Sequence, residues 1–533
     1  MNYSVKTVVM IIFWVTFIFL CSCKTEADFL TIKENKIVFS ALADATNVSC
    51  SSNTEVRAVS SQPTWCTATV TKNGKNILIG VSNYDVVEKD RTATVTVTAG
   101  KAKAVYIGIR QEPQKEEEKN EEEVTFDEAL SSKVAVNING DPKSNMGFNW
   151  VTNIATAGRV QIVEGITTDF TSPYKTVQSN EAFFNDEYVQ KAVATGLQPG
   201  TTYSYRVGNG KNWSDIGKFT TAPEGKPDFS FLYTTDPQGT TDEDFQISGL
   251  THQAAMTTSP NAKFWIGCGD HISNGTTDEW NWYFKYMKDA HLNLPYSPVR
   301  GNHETLGNSK SFQNYFNTVQ IATENYPGST YSFVYGDVLF LAYTHILNSN
   351  YDANIANMAK WMREEVKKYP ATRWRIAFYH RAVYTAHSTY HGENEAVAPI
   401  FDEMNIDLAL QGHAHAYEVI GPVYGHNVVS GAISERISTS SGYKGGKYCV
   451  DNGTLYFLNS TCGQKKYYPN NKAATSLVPN YESLFTGYVG QPGLPTFSNI
   501  TVSQDVITVT TYTVSSSGTV AELDKIYVVK TSK

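Results

Sequence analysis

Five short apolar runs, FSFLY, KFWIG, VLFLAYT, WRIAFY and IDLAL, lie between Phe229 and Leu410, separated by helix-like stretches such as Asn354 to Lys368 and Glu395 to Met404. Strands that alternate with helices predict an α/β domain. At or just beyond five of the expected strand ends stand polar motifs: TDPQ (Thr235 to Gln238), GDHISNG (Gly269 to Gly275), GNHE (Gly301 to Glu304), YHRAVY (Tyr379 to Tyr384) and GHAH (Gly412 to His415). Ligands of open α/β sheets gather beyond the carboxyl ends of strands, so loops spread over about 180 residues can converge on one site. Any one of these motifs alone reads as a turn or a core histidine. Together, each after a strand, they supply the mixed oxygen and nitrogen donors that suit Mn, Fe or Zn rather than calcium alone.

Upstream, the chain reads as modules without this chemistry. No histidine precedes His252, so the first two modules lack the commonest metal ligand and acid-base group. Residues 28–112 alternate apolar and polar positions, as in Lys75 to Val81 and Thr92 to Ala99, with an Asn73-Gly74 turn between them, and predict a small β-sandwich. The stretch EPQKEEEKNEEE, Glu112 to Glu123, carries seven Glu and no large apolar residue, so residues 113–128 are read as an acidic linker. Residues 129–224 again read as strands. There Leu197, Pro199, Gly200, Thr201 and Tyr203 spell LxPGTxY before SYRVG, and Trp150 in MGFNWVTN is expected in the core. Residues 225–533 form the α/β domain, whose sheets the β-rich stretch Ile500 to Val529 is expected to complete.

The only stretch apolar enough to meet a membrane is Val8 to Leu20, and its 13 residues fall short of the roughly 20 that a spanning helix needs. Lys6 supplies a positive start, and Leu20, Cys21, Ser22, Cys23 resemble a bacterial lipobox, so residues 1–22 are read as a signal peptide and Cys23 as the lipidated residue. The expectation is an exported outer-membrane lipoprotein, periplasmic or surface-facing. In an oxidising compartment, Cys50 with Cys66 and Cys449 with Cys462 are plausible disulfides, each pair lying within one local segment. Cys268, in an apolar run, is expected as a buried thiol. The net charge of −8, from 44 Lys plus Arg against 52 Asp plus Glu, leaves no electrostatic footprint for nucleic acid.

Three resemblances add to this reading. Trp65, the Asn83 turn, Arg91, TATVTVTAG and Gln111 resemble the carbohydrate-associated BACON module, which implies glycan association or, preferred here, a spacer that lifts an enzyme off the membrane. LxPGTxY resembles the tyrosine corner of fibronectin type III domains. The downstream motifs resemble the calcineurin-like metallophosphoesterases and, through GNHE, GHAHAYE (Gly412 to Glu418) and the preceding fibronectin-like domain, the purple acid phosphatase branch. That resemblance implies a double β-sandwich flanked by helices and carrying two metal ions. It places Asp236 on the first ion, Asp270 between both, Asn302, His380 and His413 on the second, and His415 back on the first.

Two positions depart from the pattern. The purple enzymes place a metal-binding Tyr three residues after the bridging Asp, where this chain has Ser273, and a His often found two residues after the first Asp is Gln238 here. The Gln238 carbonyl, or water, is expected to fill that place. A trivalent and a divalent ion against two carboxylates and a tyrosinate leave a net +2; two divalent ions against Asp236 and Asp270 leave the same. A colourless pair of divalent ions, Mn, Fe(II) or Zn, is therefore expected. The resemblance makes His303 a proton donor to the leaving group, with Glu304 orienting its ring, and gives His391, in HSTYHGENE, the same candidate role, with His387 as its competitor. Arg381 is read either as a phosphate clamp or as a surface ion-pair residue. The implied activity is hydrolysis of phosphate monoesters by attack of a metal-bound hydroxide. Alternatives are a phosphodiesterase or nucleotidase on the same scaffold, or a catalytically silent surface protein that binds glycan.

Overall fold

The computed structural model describes residues 27–40, 44–71, 74–82, 84, 89–113, 130–319, 329–344, 351–386, 393–439, 442–465 and 481–531. The leader with Cys23, most of the acidic linker, and His387 and His391 lie outside these residues. Two compact units, Met1–Val124 and Thr125–Lys533, divide the chain. Among the described residues no helix is long and apolar enough to cross a membrane.

The first unit is the expected β-sandwich. One sheet orders Leu30–Ile32, Asp44–Ser52, Asn76–Val81 and Cys66–Val70; the other orders Lys36–Phe39, Val105–Gln111, Arg91–Ala99 and Val56–Ser60. Alternation supplies the core: Ile77 and Ile79 from one sheet meet Val95, Val97, Ile107 and Ile109 from the other, all buried. The Arg91 guanidinium lies between the Trp65 and Tyr84 rings, 4.3 and 4.4 Å from their centroids, and its Nε donates to Gln111 Oε1 at 2.9 Å. The Cys50–Cys66 disulfide is not formed. Both cysteines are free and buried, and Cys50 Sγ donates instead to the Gly74 carbonyl at 3.4 Å.

The second unit holds both downstream segments. A twelve-stranded sheet runs from Asn180–Phe184 through Ser131–Asn137 into Tyr296–Val299, Trp265–Cys268, Phe229–Thr234 and on to the strands of the last 40 residues, so one of the two sheets of the upstream segment continues into the α/β domain, while Lys175–Gln178, Arg159–Glu164, Thr202–Gly208 and Gly217–Thr220 form a sheet of their own. The joint is a parallel contact at Asn137 and Tyr296. The tyrosine corner forms as the motif predicts: Gln198 N donates to the Tyr203 hydroxyl at 2.9 Å, and Trp150 is fully buried.

A second large sheet carries Val338–Ala342, Trp374–Arg381, Leu408–Gly412 and Thr454–Asn459 in parallel. The two sheets face each other across an apolar layer that includes Phe231, Ile266, Phe340, Phe378, Leu410 and Ile500. Helices Tyr351–Lys368 and Glu393–Met404 cover the outer face of one sheet, and Asp242–Thr258 and Thr277–Tyr286 that of the other. The double sandwich flanked by helices is thus present. Its sheets are tied near their carboxyl ends by Tyr233 Oη donating to the Gln411 carbonyl and Asn459 Nδ2 donating to the Tyr233 carbonyl at 3.2 Å. Cys449 and Cys462 are also free: Cys449 Sγ bonds Asp451 at 3.3 Å, while Cys462 N is held at 2.9 Å by the Thr235 carbonyl. Cys268 is the buried thiol expected.

Tyr203→Phe keeps the ring stacked on Phe219 but leaves Gln198 N–H without its acceptor. We expect a loss of about 1–3 kcal/mol in the unfolding free energy, read from urea titration of the full chain, with metal content unchanged.

Candidate metal centre

The residues singled out in the five motifs meet at the carboxyl edge where the two sheets adjoin. Asp236 lies just beyond Phe229–Thr234, Asp270 beyond Trp265–Cys268, Asn302 beyond Tyr296–Val299, His380 at the end of Trp374–Arg381, and His413 and His415 beyond Leu408–Gly412. Two buried triads result, Asp270 with His380 and His413, and Asp236 with Asp270 and His415; within each, the ligand atoms lie within 4.8 Å of one another. Asp270 belongs to both.

The loops reach this geometry through a backbone few residues adopt. Asp236, Asp270, His413 and His415 all have positive φ, at 53°, 51°, 75° and 49°. Hydrogen bonds hold them there: Asp236 N donates to the Gly269 carbonyl at 3.1 Å, and His413 N to Asp236 Oδ2 at 2.9 Å. Two glycines permit the close approach. A Cβ at Gly412 would lie 2.6 Å from the Cys268 carbonyl and 3.0 Å from His380 Nδ1, and one at Gly301 would overlap the Asp270 carboxylate.

The donor set fits cations. His380 Nδ1 lies 2.7 Å from the Cys268 carbonyl, which fixes a proton there and leaves Nε2 as the inward-facing nitrogen. That Nε2 sits 3.0 Å from Asp270 Oδ2, 3.1 Å from Asn302 Oδ1 and 3.1 Å from His413 Nδ1. Positive charge must lie among these atoms: the proton on Nε2 in the bare cage, or a cation that displaces it. On the other side, His415 Nε2 approaches Asp236 Oδ1 at 3.1 Å. Burial favours the neutral form of Asp270, yet the surrounding imidazoles of His380, His413 and His303 hold its carboxyl well below the usual range. Burial likewise opposes a charge on His380, but Asp270 and Asp236 outweigh it and hold its pKa up at about 9. His413, dominated by burial, is pushed down to about 4.

One expectation is corrected. Glu304 does not orient His303: its buried carboxylate accepts from His271 N and Gly301 N at 2.6 Å, Asp270 N at 3.1 Å and Ile272 N at 3.3 Å, so it clamps the loop carrying the bridging Asp. The His303 ring is set instead by its Nδ1, 2.5 Å from the Ser273 carbonyl. Gln238 stands beside the carboxylate pair, one end of its amide 3.0 Å from Asp270 Oδ2 and the other facing Lys465 Nζ; hydrogen bonding in the bare cage favours the nitrogen toward Asp270, and a cation there would favour the carbonyl.

Three residues given no role in the sequence analysis complete the surroundings. Glu279 accepts from Ser273 N, Asn274 N and Gly275 N at 3.2, 2.7 and 3.0 Å and closes the loop where a tyrosinate would otherwise sit. Glu418 accepts from Ala386 N at 3.1 Å and so holds the stretch leading to residues 387–392. Lys465 stands beyond the Thr454–Asn459 strand, 3.3 Å from His303 Nε2. His271 is buried on Tyr296, Nε2 to Oη at 2.8 Å, and His252 on the Ser248 carbonyl at 2.6 Å; both serve packing.

Comparison with known proteins matches this geometry. Residues 229–417 match the family model of the calcineurin-like phosphoesterases, and residues 131–221 that of the purple acid phosphatase N-terminal domain; these segments belong to those families. Among curated proteins, purple acid phosphatase 15 of Arabidopsis thaliana is 25% identical over 280 residues, covering 44% of this chain and 50% of that protein. Acid phosphatase type 7 of Mus musculus is 23% identical over 279 residues, covering 48% and 62%. The chain therefore spans about half to three fifths of the length of these relatives. Purple acid phosphatase PPD1 from yellow lupin (Lupinus luteus) shares the fold, with a TM-score of 0.58 at 15% identity over 95% of this chain and 96% of that one. The family and the two Asp/His clusters together imply divalent metals.

A ligating imidazole must be neutral, whereas the metal-free cage holds His380 protonated below about pH 9. We expect metal loading at about pH 7.5 to release roughly one proton per chain, fading as the pH rises past 9, measured with an indicator in weak buffer. Asp270→Ala removes the shared ligand and should abolish both the release and the retained metal.

Proposed function

We propose that this protein is an exported, lipid-anchored phosphatase that hydrolyses phosphate monoesters at a dinuclear divalent-metal centre. The observation that carries this reading is the pair of buried Asp/His triads sharing Asp270. Two divalent ions held there supply charge for a phosphate oxygen and acidity for a water. The chain's own residues supply the rest. Asp236 with His415, and Asn302, His380 and His413 beside Asp270, fix the positions of the charges. Glu304 and Glu279 keep the bridging loop rigid. With Nδ1 committed to the Ser273 carbonyl, His303 presents Nε2 to the centre, 3.8 Å from Asp270 Oδ2, and is the group that hands a proton to the departing alkoxide. His391 has the same proposed role from outside the described residues.

Export rests on the leader and Cys23, and the substrate class on the relatives, which carry acid phosphatase names. The first unit is read as a spacer. One face of Trp65, the ring a sugar would stack on, is covered by Arg91.

Turnover of p-nitrophenyl phosphate against its bis ester tests the reading in the metal-loaded protein. Faster hydrolysis of the monoester is expected; preference for the bis ester identifies a diesterase, and absence of turnover with two ions bound refutes the enzyme. The loaded protein should be colourless, and a tyrosinate-to-iron absorption band would contradict the divalent pair. His303→Ala should lower kcat about 100-fold or more with both metals retained.

A further inference from the structure

A sixth strand end contributes to the site. Beyond Thr454–Asn459 the chain runs Ser460, Thr461, Cys462, Gly463, Gln464, Lys465, and this segment is stitched to the loop of the first carboxylate. Cys462 N donates to the Thr235 carbonyl at 2.9 Å, Thr461 Oγ1 to the Asp236 carbonyl at 2.5 Å, and Ser460 Oγ to the His415 carbonyl at 3.2 Å. Gly463 lies against Pro237 so closely that a Cβ there would stand 2.7 Å from its carbonyl oxygen. The backbone two residues before Lys465 is therefore fixed against metal-binding loops. From this anchor the ammonium reaches one end of the Gln238 amide and lies 3.3 Å from His303 Nε2, while the other end of the amide lies 3.0 Å from Asp270 Oδ2. Lys465 is half-buried, with neither contact to a carboxylate.

From this arrangement we infer that Lys465 is a phosphate-binding residue that selects phosphate monoesters over diesters. The inference rests on the phosphatase reading and deepens it. Surface lysines pair with carboxylates or face water; here, among the described residues, the neighbours are an amide and an imidazole, neither of them an anion, so the positive charge is left to be met by a ligand. A compact ammonium offers three N–H donors, of which the amide takes at most one. The others and the whole charge serve an incoming anion. A monoester is a dianion with three oxygens outside the ester bond, and a diester a monoanion with two. The extra charged oxygen has a partner in a fixed cation placed beside the metal pair, whereas the second ester group of a diester gains nothing from it. Gln238 then has a defined place: its amide spans from the bridging carboxylate to the ammonium.

The test uses the metal-loaded full chain and two readouts. Lys465→Gln should weaken calorimetric binding of inorganic phosphate by about 10- to 100-fold, the range for a charge-assisted hydrogen bond, and Lys465→Arg should recover most of it. In turnover, Lys465→Gln should lower kcat/KM for p-nitrophenyl phosphate by a similar factor, chiefly through KM, and change kcat/KM for the bis ester by less than about threefold. Metal content should stay at that of the unaltered chain. Phosphate affinity and the monoester-to-diester ratio both unchanged within about twofold in Lys465→Gln overturn the inference. So does loss of metal from both variants, which makes the residue a support of the cage. Failure of the underlying reading looks different: the unaltered, metal-loaded chain turns over neither ester, whatever Lys465 does to phosphate binding.

Discussion

Two carboxylates, Asp236 and Asp270, are buried with 0% and 1% exposure at the edge where two sheets adjoin, and the arrangement of this half of the molecule follows from the need to compensate them. A buried charge without a partner costs several kcal/mol, so positive or hydrogen-bonding groups must arrive from every loop that ends there. The protein supplies imidazoles at His380, His413 and His415 and backbone N–H groups such as His303 N, 2.9 Å from Asp270 Oδ1. What those groups leave uncompensated is the attraction for cations. Packing makes the arrangement rigid. Four ligands sit in left-handed backbone, a conformation that costs on the order of 1–3 kcal/mol each and persists only where neighbours over-determine it. The neighbours here are Glu304, Glu279 and the glycines that let the loops touch.

The ligands were legible in the amino-acid sequence because each stands immediately after an apolar run, and the fold puts such positions on one edge. Local patterns carried the tyrosine corner and the first sandwich for the same reason. The continuation of one sheet of the upstream segment into the α/β domain was not legible, since it depends on one strand meeting another some 160 residues away and no local periodicity records that contact. Glu304 was misread because a carboxylate beside a histidine suggests an ion pair, whereas four unsatisfied N–H groups of a tight loop made the stronger demand. The cysteine pairs illustrate the same limit. Nearness in sequence does not set the direction of a side chain, and both pairs instead point into separate local contacts.

Lys465 was missed for a different reason. The strand before it, TLYFLN, has the same apolar character as the other five, but the six residues that follow contain no Asp, Asn or His, and a lone lysine in a loop carries no signature. Only the contacts of Ser460, Thr461 and Cys462 with the first ligand loop distinguish it from a solvated surface residue.

The two departures from the purple pattern and Lys465 then form one electrostatic argument. Ser273 removes an anion from the centre, Gln238 puts a neutral amide where a titratable ligand is often found, and Lys465 brings a cation to that amide. A divalent pair opposed by Asp236 and Asp270 matches the charge of a mixed-valence purple site without any trivalent iron. The ammonium adds a further positive charge beside that pair, and this charge does not depend on an oxidation state because it is covalently part of the chain. A neutral amide suits the place between the carboxylate pair and the lysine: a histidine there could ligate, but once protonated it would repel the ammonium beside it.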